Sequence, residues 1–246
     1  MRANRLSSFK RRRQRRGIDR AVAICLAVLD HGWFATAPAM AWEAAGDLLR
    51  RLLPDEVKTP GRFIFHSPTA ASSWSFGVYG GQLNNNVFAR IAPAPWKARD
   101  TFEPAYLVAA NGVYRAVEFP YLPIDFEIDV TAGYHFGPQE FAEFTLTPTL
   151  RWKWFPWNHY VYTTLRGSPV GLSFTTAESR LEALETVGRR TSKLLNSLVY
   201  EWTFAPSETS NWEAFYRIHH RCGAYGLFDG VVGGSNYMSL GLRARF

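Results

Sequence analysis

The chain has 246 residues, with 28 Lys and Arg against 21 Asp and Glu, two Cys and 15% aromatic residues. This composition excludes collagen-like, coiled-coil, disordered and disulfide-framework proteins. No apolar run approaches the ~18 residues of a membrane-spanning helix, so a bundle of transmembrane helices is excluded as well. The formal net charge of +7 would suit a nucleic-acid partner. However, residues 1–41 hold nine basic and two acidic residues, which leaves 19 of each sign in the rest of the chain. No nucleic-acid partner is therefore expected.

Residues 1–41 have the order of a secretory signal peptide. A basic stretch is followed by the apolar run Ala21–Leu29 and then by small residues that end at Ala41. This order predicts export and cleavage after Ala41. The basic run alone could also be a nucleic-acid arm, but the apolar run that follows it favours export. Cys25 lies inside the signal, so the exported chain keeps only Cys222, which cannot form an internal disulfide.

Residues 42–72 are expected to form a periplasmic segment ahead of the main domain. Within Trp42–Leu53, four leucines recur at helical spacing with two arginines on the opposite face. This pattern predicts a short amphipathic helix. No chemistry is assigned to it.

From Ser73 onward, the hydrophobic pattern repeats every two residues, which is typical of β-strands. In Asp125–Phe136, for example, acidic and small side chains alternate with apolar ones. A soluble β-sandwich also alternates, but these strands are long, about 10–15 residues against a usual 5–6. Aromatic residues gather at strand ends, as in the girdle of a membrane barrel, and the polar face carries charges. Residues 73–246 therefore predict an all-β fold, an eight-stranded antiparallel transmembrane β-barrel.

Eight strands are predicted, an even number and the smallest known for bacterial barrels. They cover residues 73–83, 104–118, 124–136, 140–154, 158–173, 194–205, 211–223 and 235–246. Asn111-Gly112 could instead turn a hairpin inside the second strand. One long strand is preferred, because a ninth strand would leave the number odd.

The predicted connections alternate in length, as the short periplasmic turns and longer external loops of a barrel do. Residues 119–123, 155–157 and 206–210 are short, whereas 84–103, 174–193 and 224–234 are long. The tight turn at 137–139 is external and sets Asp125 opposite Arg151. An eight-stranded lumen has room for side chains but not for a channel. We therefore expect charged residues on the polar faces to pair inside the lumen; they are Asp125, Glu127, Asp129, Arg151 and Lys153.

The C-terminal strand alternates apolar and polar residues and ends at Phe246. An exported chain with such an ending resembles the bacterial outer-membrane barrels, and this resemblance implies an outer-membrane location. It also implies that the insertion machinery of that membrane recognises the last strand.

The seventh predicted strand carries an unusual pair. Alternation places Arg217, His219 and Arg221 toward the lumen, which leaves His220 and Cys222 on the lipid face. Ionisable groups at lipid depth are costly and indicate function. An imidazole two residues from a thiol on the same face could serve as the base that activates a nucleophile.

The run Arg217–Gly223, followed by Gly233–Asn236 and the terminal strand, resembles the lipid A 3-O-deacylases. These are eight-stranded outer-membrane esterases that remove an acyl chain from lipopolysaccharide. The resemblance implies a carboxylic ester hydrolase without metal or organic cofactor, with lipid A as substrate. It further implies His220 as general base and Cys222 as nucleophile, where the family has Ser.

The sequence departs from this family in two places. The orienting acid expected on the last strand is absent, and Asp229 is the nearest substitute. Gly223 stands where the family usually has Asn, so Asn236 or backbone N–H groups near Gly223 are candidates for the oxyanion hole. The candidate substrate-binding residues are Arg217, His219, Arg221 and Asn236. The alternative is a non-catalytic barrel that binds lipopolysaccharide or stabilises the envelope, with Cys222 as a small apolar filler.

Overall fold

The computed structural model describes residues 63–68, 70–98, 101–168 and 170–246. The chain divides into two compact units, Met1–Lys58 and Thr59–Phe246, and all described residues belong to the second. The predicted signal peptide and the predicted helix at Trp42–Leu53 lie outside the described residues.

Ten strands make up the described part of the chain. They are β1 Ile64–Phe65, β2 Trp74–Asn84, β3 Phe102–Phe119, β4 Ile124–Phe136, β5 Phe141–Trp152, β6 Tyr162–Gly167, β7 Leu172–Thr175, β8 Leu194–Ala205, β9 Trp212–Cys222 and β10 Gly234–Arg245. Two short α-helices lie in connections, α1 at Phe88–Ile91 and α2 at Arg180–Glu185. Four 3₁₀ turns cover Ala71–Ser73, Pro95–Ala98, Val187–Arg189 and Ala224–Gly226.

The strands close into a ring in which all the pairings are antiparallel. The order around the ring is β3, β2, β10, β9, β8, β6, β5 and β4, and the pairing of β4 with β3 closes it. β6 and β7 share one position, because both pair with β5 and β8. β1 adds a two-residue pairing to the end of β3. The fold is therefore an eight-stranded antiparallel β-barrel, which confirms the predicted fold class.

Most strand bounds agree with the sequence pattern, and those of β4 and β8 agree fully. Asn111-Gly112 lies within β3 and pairs on both sides, so no hairpin interrupts this strand. The strand predicted at 158–173 is wrong in one respect, because it is split into β6 and β7. Ser168-Pro169 falls at the break, where proline has no N–H to donate to a sheet. The connection predicted at 155–157 is accordingly wider and covers 153–161.

The two ends of the barrel differ. The turn end carries the connections 120–123, 153–161 and 206–211, together with Phe246. Among the described residues, the loop end carries 85–98, 101, 137–140, 176–193 and 223–233. No helix among the described residues is long and apolar enough to cross a membrane.

The two faces of the barrel wall have opposite character. Many apolar side chains on the outside are exposed, among them Val78 at 62% and Leu240 at 70%. The lumen is filled by buried charges in mutual contact, as expected for an eight-stranded barrel. Asp125 pairs in register with Arg151, as predicted. The wall therefore turns an apolar surface outward around a closed polar interior.

Candidate functional site

Strand β9 brings two adjacent histidines to opposite faces of the wall. His219 points into the lumen, where its Nδ1 lies 3.0 Å from the Tyr79 hydroxyl and its Nε2 lies 3.1 Å from Glu143. The same Glu143 oxygen also contacts His135 Nε2 at 2.7 Å. Both nitrogens of His219 are thus engaged by buried lumen residues.

The two arginines predicted to bind substrate also face the lumen. Arg217 is fully buried and contacts Asp129 and Glu201 at 2.6 Å each. Arg221 contacts Glu182 at 2.6 Å. Arg217, His219 and Arg221 therefore face the lumen, as the alternation predicted, and not the outer face that carries His220; their binding of substrate stays a prediction. Each of these side chains is bound to partners inside the barrel.

His220 lies on the outer face of the wall and is only 8% exposed. Asn236 of β10 stands directly across from it in the strand register. The His220 Nδ1–H donates to Asn236 Oδ1 at 2.7 Å, and Asn236 Nδ2 donates to the Asn86 carbonyl oxygen at 2.7 Å. Since Asn86 accepts from the amide nitrogen, the amide oxygen is the atom that faces His220. The contact therefore leaves His220 Nε2 as the nitrogen that carries a lone pair.

Cys222 lies two residues further along the outer face, at the loop end of β9. It is a free thiol of intermediate exposure. Asn196 of β8 pairs with it in register and donates from Nδ2 to its Sγ at 3.8 Å. The Gly171 backbone N–H donates to Asn196 Oδ1 at 2.9 Å, which orients this amide. Among the described residues, no hydrogen bond joins His220 to Cys222.

The remaining predicted site residue, Asp229, is exposed in the β9–β10 connection at a φ of 51°. Its carbonyl oxygen accepts from Arg190 at 3.5 Å, and within the described part of the chain its carboxylate makes no hydrogen bond to His220. The structure thus does not bring Asp229 to His220. Asn236 is the residue in contact with His220 Nδ1, because strand pairing rather than sequence proximity selects its neighbour.

The structure also reassigns the oxyanion candidates. The Gly223 N–H donates to the Gly233 carbonyl at 3.1 Å, and the amide of Asn236 is bonded at both ends. Asn196 Nδ2, in contrast, lies beside the thiol, at 3.8 Å from Sγ. Sequence reasoning missed Asn196. The available signal was a polar side chain in phase with Leu194 and Leu198 on an otherwise apolar outer face.

Two glycines let the backbone close tightly behind the thiol. A Cβ at Gly223 would overlap the carbonyl oxygen of Val231, and a Cβ at Gly234 would overlap that of Arg221. Gly223 is therefore required by the packing of the β9–β10 connection. The departure from the Asn of the resembling family has a steric cause here.

The β2–β3 connection folds back over the outer wall and covers His220. The Phe88 ring lies 4.7 Å from the His220 ring and 6.5 Å from that of Tyr200. Ile91, in α1, is fully buried and belongs to the same apolar cluster as Ile218 of β9. This part of the wall is therefore shielded by the protein's own chain.

The cluster combines a thiol, an imidazole and two carboxamides. A Cys, His and Asn set occurs in papain-like enzymes, where the amide orients the imidazole and the imidazole activates the thiol. Here the amide contact is formed and the thiol contact is open. Among the described residues, no group of three or more His, Cys, Asp or Glu side chains is arranged to hold a metal ion.

No protein-family model and no curated protein matches this chain. Among solved structures, it is similar to the crystal structure of Neisserial surface protein A at 12% identity and a TM-score of 0.43, with 71% of this chain and 97% of that chain covered. It is also similar to the Yersinia pestis outer membrane protein Ail in a phospholipid bilayer nanodisc, at 16% identity and a TM-score of 0.31, with 69% and 98% covered. At these values the likeness transfers no activity, and the fold assignment rests on the strand pairing of this chain.

Proposed function

We propose that this protein is an outer-membrane hydrolase that cleaves an acyl ester of lipid A. Cys222 acts as nucleophile, His220 as general base, Asn236 as the orienting residue and Asn196 as the oxyanion donor. The observation that carries the proposal is the Asn236 amide bonded to His220 Nδ1 at 2.7 Å. This contact supplies an orienting amide in place of the orienting acid that the sequence lacks.

The membrane location is supported by the exterior of the barrel. A ring of strands has no open edge, so every backbone polar group of the wall can be paired within lipid. Apolar side chains such as Val108 and Leu146 are about half exposed on this exterior. Contact of this apolar surface with water would be unfavourable, whereas contact with lipid is not. With the longer loops on the external side, Cys222 lies near the head groups of the outer leaflet.

The position of the cluster on the outer wall, beneath the β2–β3 connection, suits an ester in a bilayer. Acyl esters of lipid A lie between polar head group and apolar chain, which is the depth of a strand end. An ionisable pair in that position is costly unless it has a function. A soluble substrate would have to cross the lipid to reach it.

The reaction proceeds in two balanced steps. His220 Nε2 takes the Cys222 proton, and Sγ attacks the ester carbonyl carbon, so that a C–S bond forms and the oxyanion accepts a hydrogen bond from Asn196 Nδ2. The C–O bond to the sugar breaks, and the imidazolium returns its proton to the leaving alcohol. His220 then activates a water that attacks the thioester carbon. The C–S bond breaks, the free fatty acid leaves, and the thiol regains its proton.

One movement is required before this chemistry. Sγ and Nε2 are not hydrogen-bonded, so the side chains must rotate toward one another. Catalytic contacts are commonly long in substrate-free enzymes and tighten when substrate binds. The open thiol contact and the Phe88 cover also favour a second candidate, a non-catalytic barrel that binds lipopolysaccharide.

The test is incubation of the full-length protein with purified lipid A in mixed micelles, followed by mass spectrometry of the lipid. Loss of one acyl chain, abolished in Cys222→Ala and His220→Ala, supports the enzyme. Cys222→Ser serves as the matched variant, because Ser keeps a nucleophile at the position. An unchanged lipid A spectrum with a protein that migrates as a folded barrel would favour the second candidate.

A further inference from the structure

The outer wall below His220 carries an apolar strip, defined here as Tyr200, Tyr216, Ile218 and Met238. All four belong to one cluster with residues of the β2–β3 connection. Ile218 and Tyr216 follow His220 along β9 toward the turn end, at steps of about 7 Å per two residues. The strip is thus continuous with the candidate catalytic group and runs toward the middle of the barrel wall.

We propose that this strip is the binding site for the substrate's acyl chain and that residues 85–98, the lid segment, occupy it until substrate enters. The inference rests on the proposed function and deepens it. An acyl chain extends from its ester toward the bilayer centre. From an ester at Cys222 and His220, that direction is the direction of the strip.

The composition of the lid segment matches what it replaces. Residues 87–95 read Val-Phe-Ala-Arg-Ile-Ala-Pro-Ala-Pro, with Arg90 as the only charge. Ile91 is fully buried against the strip, and Ala92 is 8% exposed. These side chains cover the same apolar surface that a hydrocarbon chain would cover. Substrate entry therefore exchanges one apolar contact for another at little net cost.

The lid segment is fastened at its base and lightly held in its middle. At the base, Asn84 Nδ2 donates to the Ala98 carbonyl at 3.0 Å, and Asn84 Oδ1 accepts from the Asn86 N–H at 3.0 Å. Asn236 Nδ2 also donates to the Asn86 carbonyl at this base, at 2.7 Å. Over the strip, no hydrogen bond among the described residues joins residues 87–95 to the barrel wall. The segment can thus lift from the strip while its two ends stay in place.

The bond between Asn236 and Asn86 explains the amide at position 236. Asn236 accepts from His220 and donates to the lid segment, whereas a carboxylate could do only the first. An Asp here would face the Asn86 carbonyl oxygen with a negative charge. Asn236 therefore joins His220 to the fastened base of the lid segment.

The test is photo-cross-linking with a lipid A probe that carries a diazirine in its acyl chain. Full-length protein in bilayers is compared as Ile91→Ser and as Val87→Ser, both in the Cys222→Ala background so that the probe is not consumed. Val87 is 72% exposed in the same segment, so Val87→Ser is the matched control. Leu240, exposed on the outer face of β10, is the internal reference for general lipid contact.

Ile91→Ser is expected to raise cross-linking at Ile218 and Met238 about threefold or more relative to Leu240, because the strip becomes available in a larger fraction of molecules. Val87→Ser should match the parent. Equal ratios in all three proteins, or cross-links confined to Leu240, would overturn the proposal. Ile91→Val keeps the packing and reports whether a change at this position alone disturbs the barrel.

Failure of this proposal and failure of the proposed function are distinguishable. Cross-linking needs no turnover. If the probe cross-links to the strip but the protein releases no fatty acid, the proposed hydrolase activity is wrong and the acyl-chain site is retained. Conversely, if the protein releases a fatty acid but no cross-links form on the strip, only the proposed acyl-chain site and its lid segment are wrong.

Discussion

His219 and His220 are neighbours in the chain, yet they lie in two different chemical regions. Inside the barrel, His219 has both ring nitrogens engaged, by Tyr79 and by Glu143. On the outer wall, His220 is held by Asn236 at Nδ1 and has no side-chain hydrogen-bond partner at Nε2 among the described residues. The polar groups of the lumen are therefore bonded mainly to one another, whereas on the outer wall His220 Nε2 and the Cys222 thiol are not hydrogen-bonded to each other.

The lumen network explains why its charges are structural. Glu201 is fully buried and contacts Arg166, Arg217 and Arg243 at 2.6–2.8 Å. Buried charges remain ionised only when they are paired in this way. The outer cluster contains no formal charge and makes fewer contacts. Mutations can therefore distinguish the stabilising role of the lumen network from the proposed catalytic role of the outer cluster.

The largest difference in mutational effect is expected between the two histidines. His220→Gln should lower acyl release by about 10²- to 10⁴-fold, the usual range for loss of a general base. It loses one hydrogen bond, to Asn236, so the free energy of unfolding should fall by only about 1 kcal/mol. His219→Gln should keep the rate and lower the free energy of unfolding by about 1–3 kcal/mol, because buried hydrogen bonds to Tyr79 and Glu143 are disturbed. Kinetics of fatty-acid release and urea unfolding in micelles measure both. Equal kinetic losses in the two variants would remove the distinction.

The lumen should respond most strongly at Glu201. Glu201→Ala leaves three arginines short of a partner, and we expect a loss of about 3–5 kcal/mol in the free energy of unfolding. Glu208→Ala, at an exposed turn-end position, is the control and should change stability by less than about 0.5 kcal/mol. The measurement is the urea midpoint followed by tryptophan fluorescence. An unchanged urea midpoint in Glu201→Ala would show that the network does not stabilise the barrel.

On the outer wall, Asn196 should matter for rate rather than stability. Asn196→Leu is expected to lower kcat by about 10²- to 10³-fold with KM little changed, as for the loss of one oxyanion donor. Asn196→Gln keeps a carboxamide and should recover part of the rate. A KM effect at constant kcat would instead assign Asn196 to substrate binding.

The smallest effect should come from pH at the loop end. Burial raises the pKa of Glu182 in α2, although the facing Arg221 guanidinium and the Thr191 hydroxyl oppose this shift. Because the pKa of Glu182 is higher in the folded state than in the unfolded state, the folded state becomes protonated at a higher pH than the unfolded state. Stability of the connection 176–193 is then highest at acid pH and declines as pH rises through the folded pKa.

Hydrogen exchange of the α2 amides between pH 4 and 8, corrected for intrinsic rates, measures this decline. Glu182→Gln should reduce it, since the amide does not titrate. The pKa of Glu185 is raised in the same direction, by burial and by Glu103, so Glu185→Gln is the matched comparison. Protection that grows with pH would contradict the assignment.

Strand positions and lumen charges could be predicted because both follow from a local rule. In a strand, successive side chains face opposite sides, so one residue of known orientation orients all the others. This rule located β4 and β8 at their full bounds and set Asp125 opposite Arg151. It also placed His220 and Cys222 together outside and His219 inside.

The rule failed where the chain leaves regular structure. It missed the break between β6 and β7. Asp229 came instead from the family resemblance, as the carboxylate nearest in sequence to the missing acid. The rule also treated the β2–β3 connection as a simple loop, whereas this segment covers His220.

Alternation along the chain thus determined the barrel, its charged lumen and the face that carries His220 and Cys222. The tertiary structure decided the partners of these residues, since Asn86 and Asn236 lie 150 positions apart in the chain. A local pattern carries orientation, because orientation depends on neighbouring dihedral angles. It does not carry contacts that arise only when distant strands close into a ring.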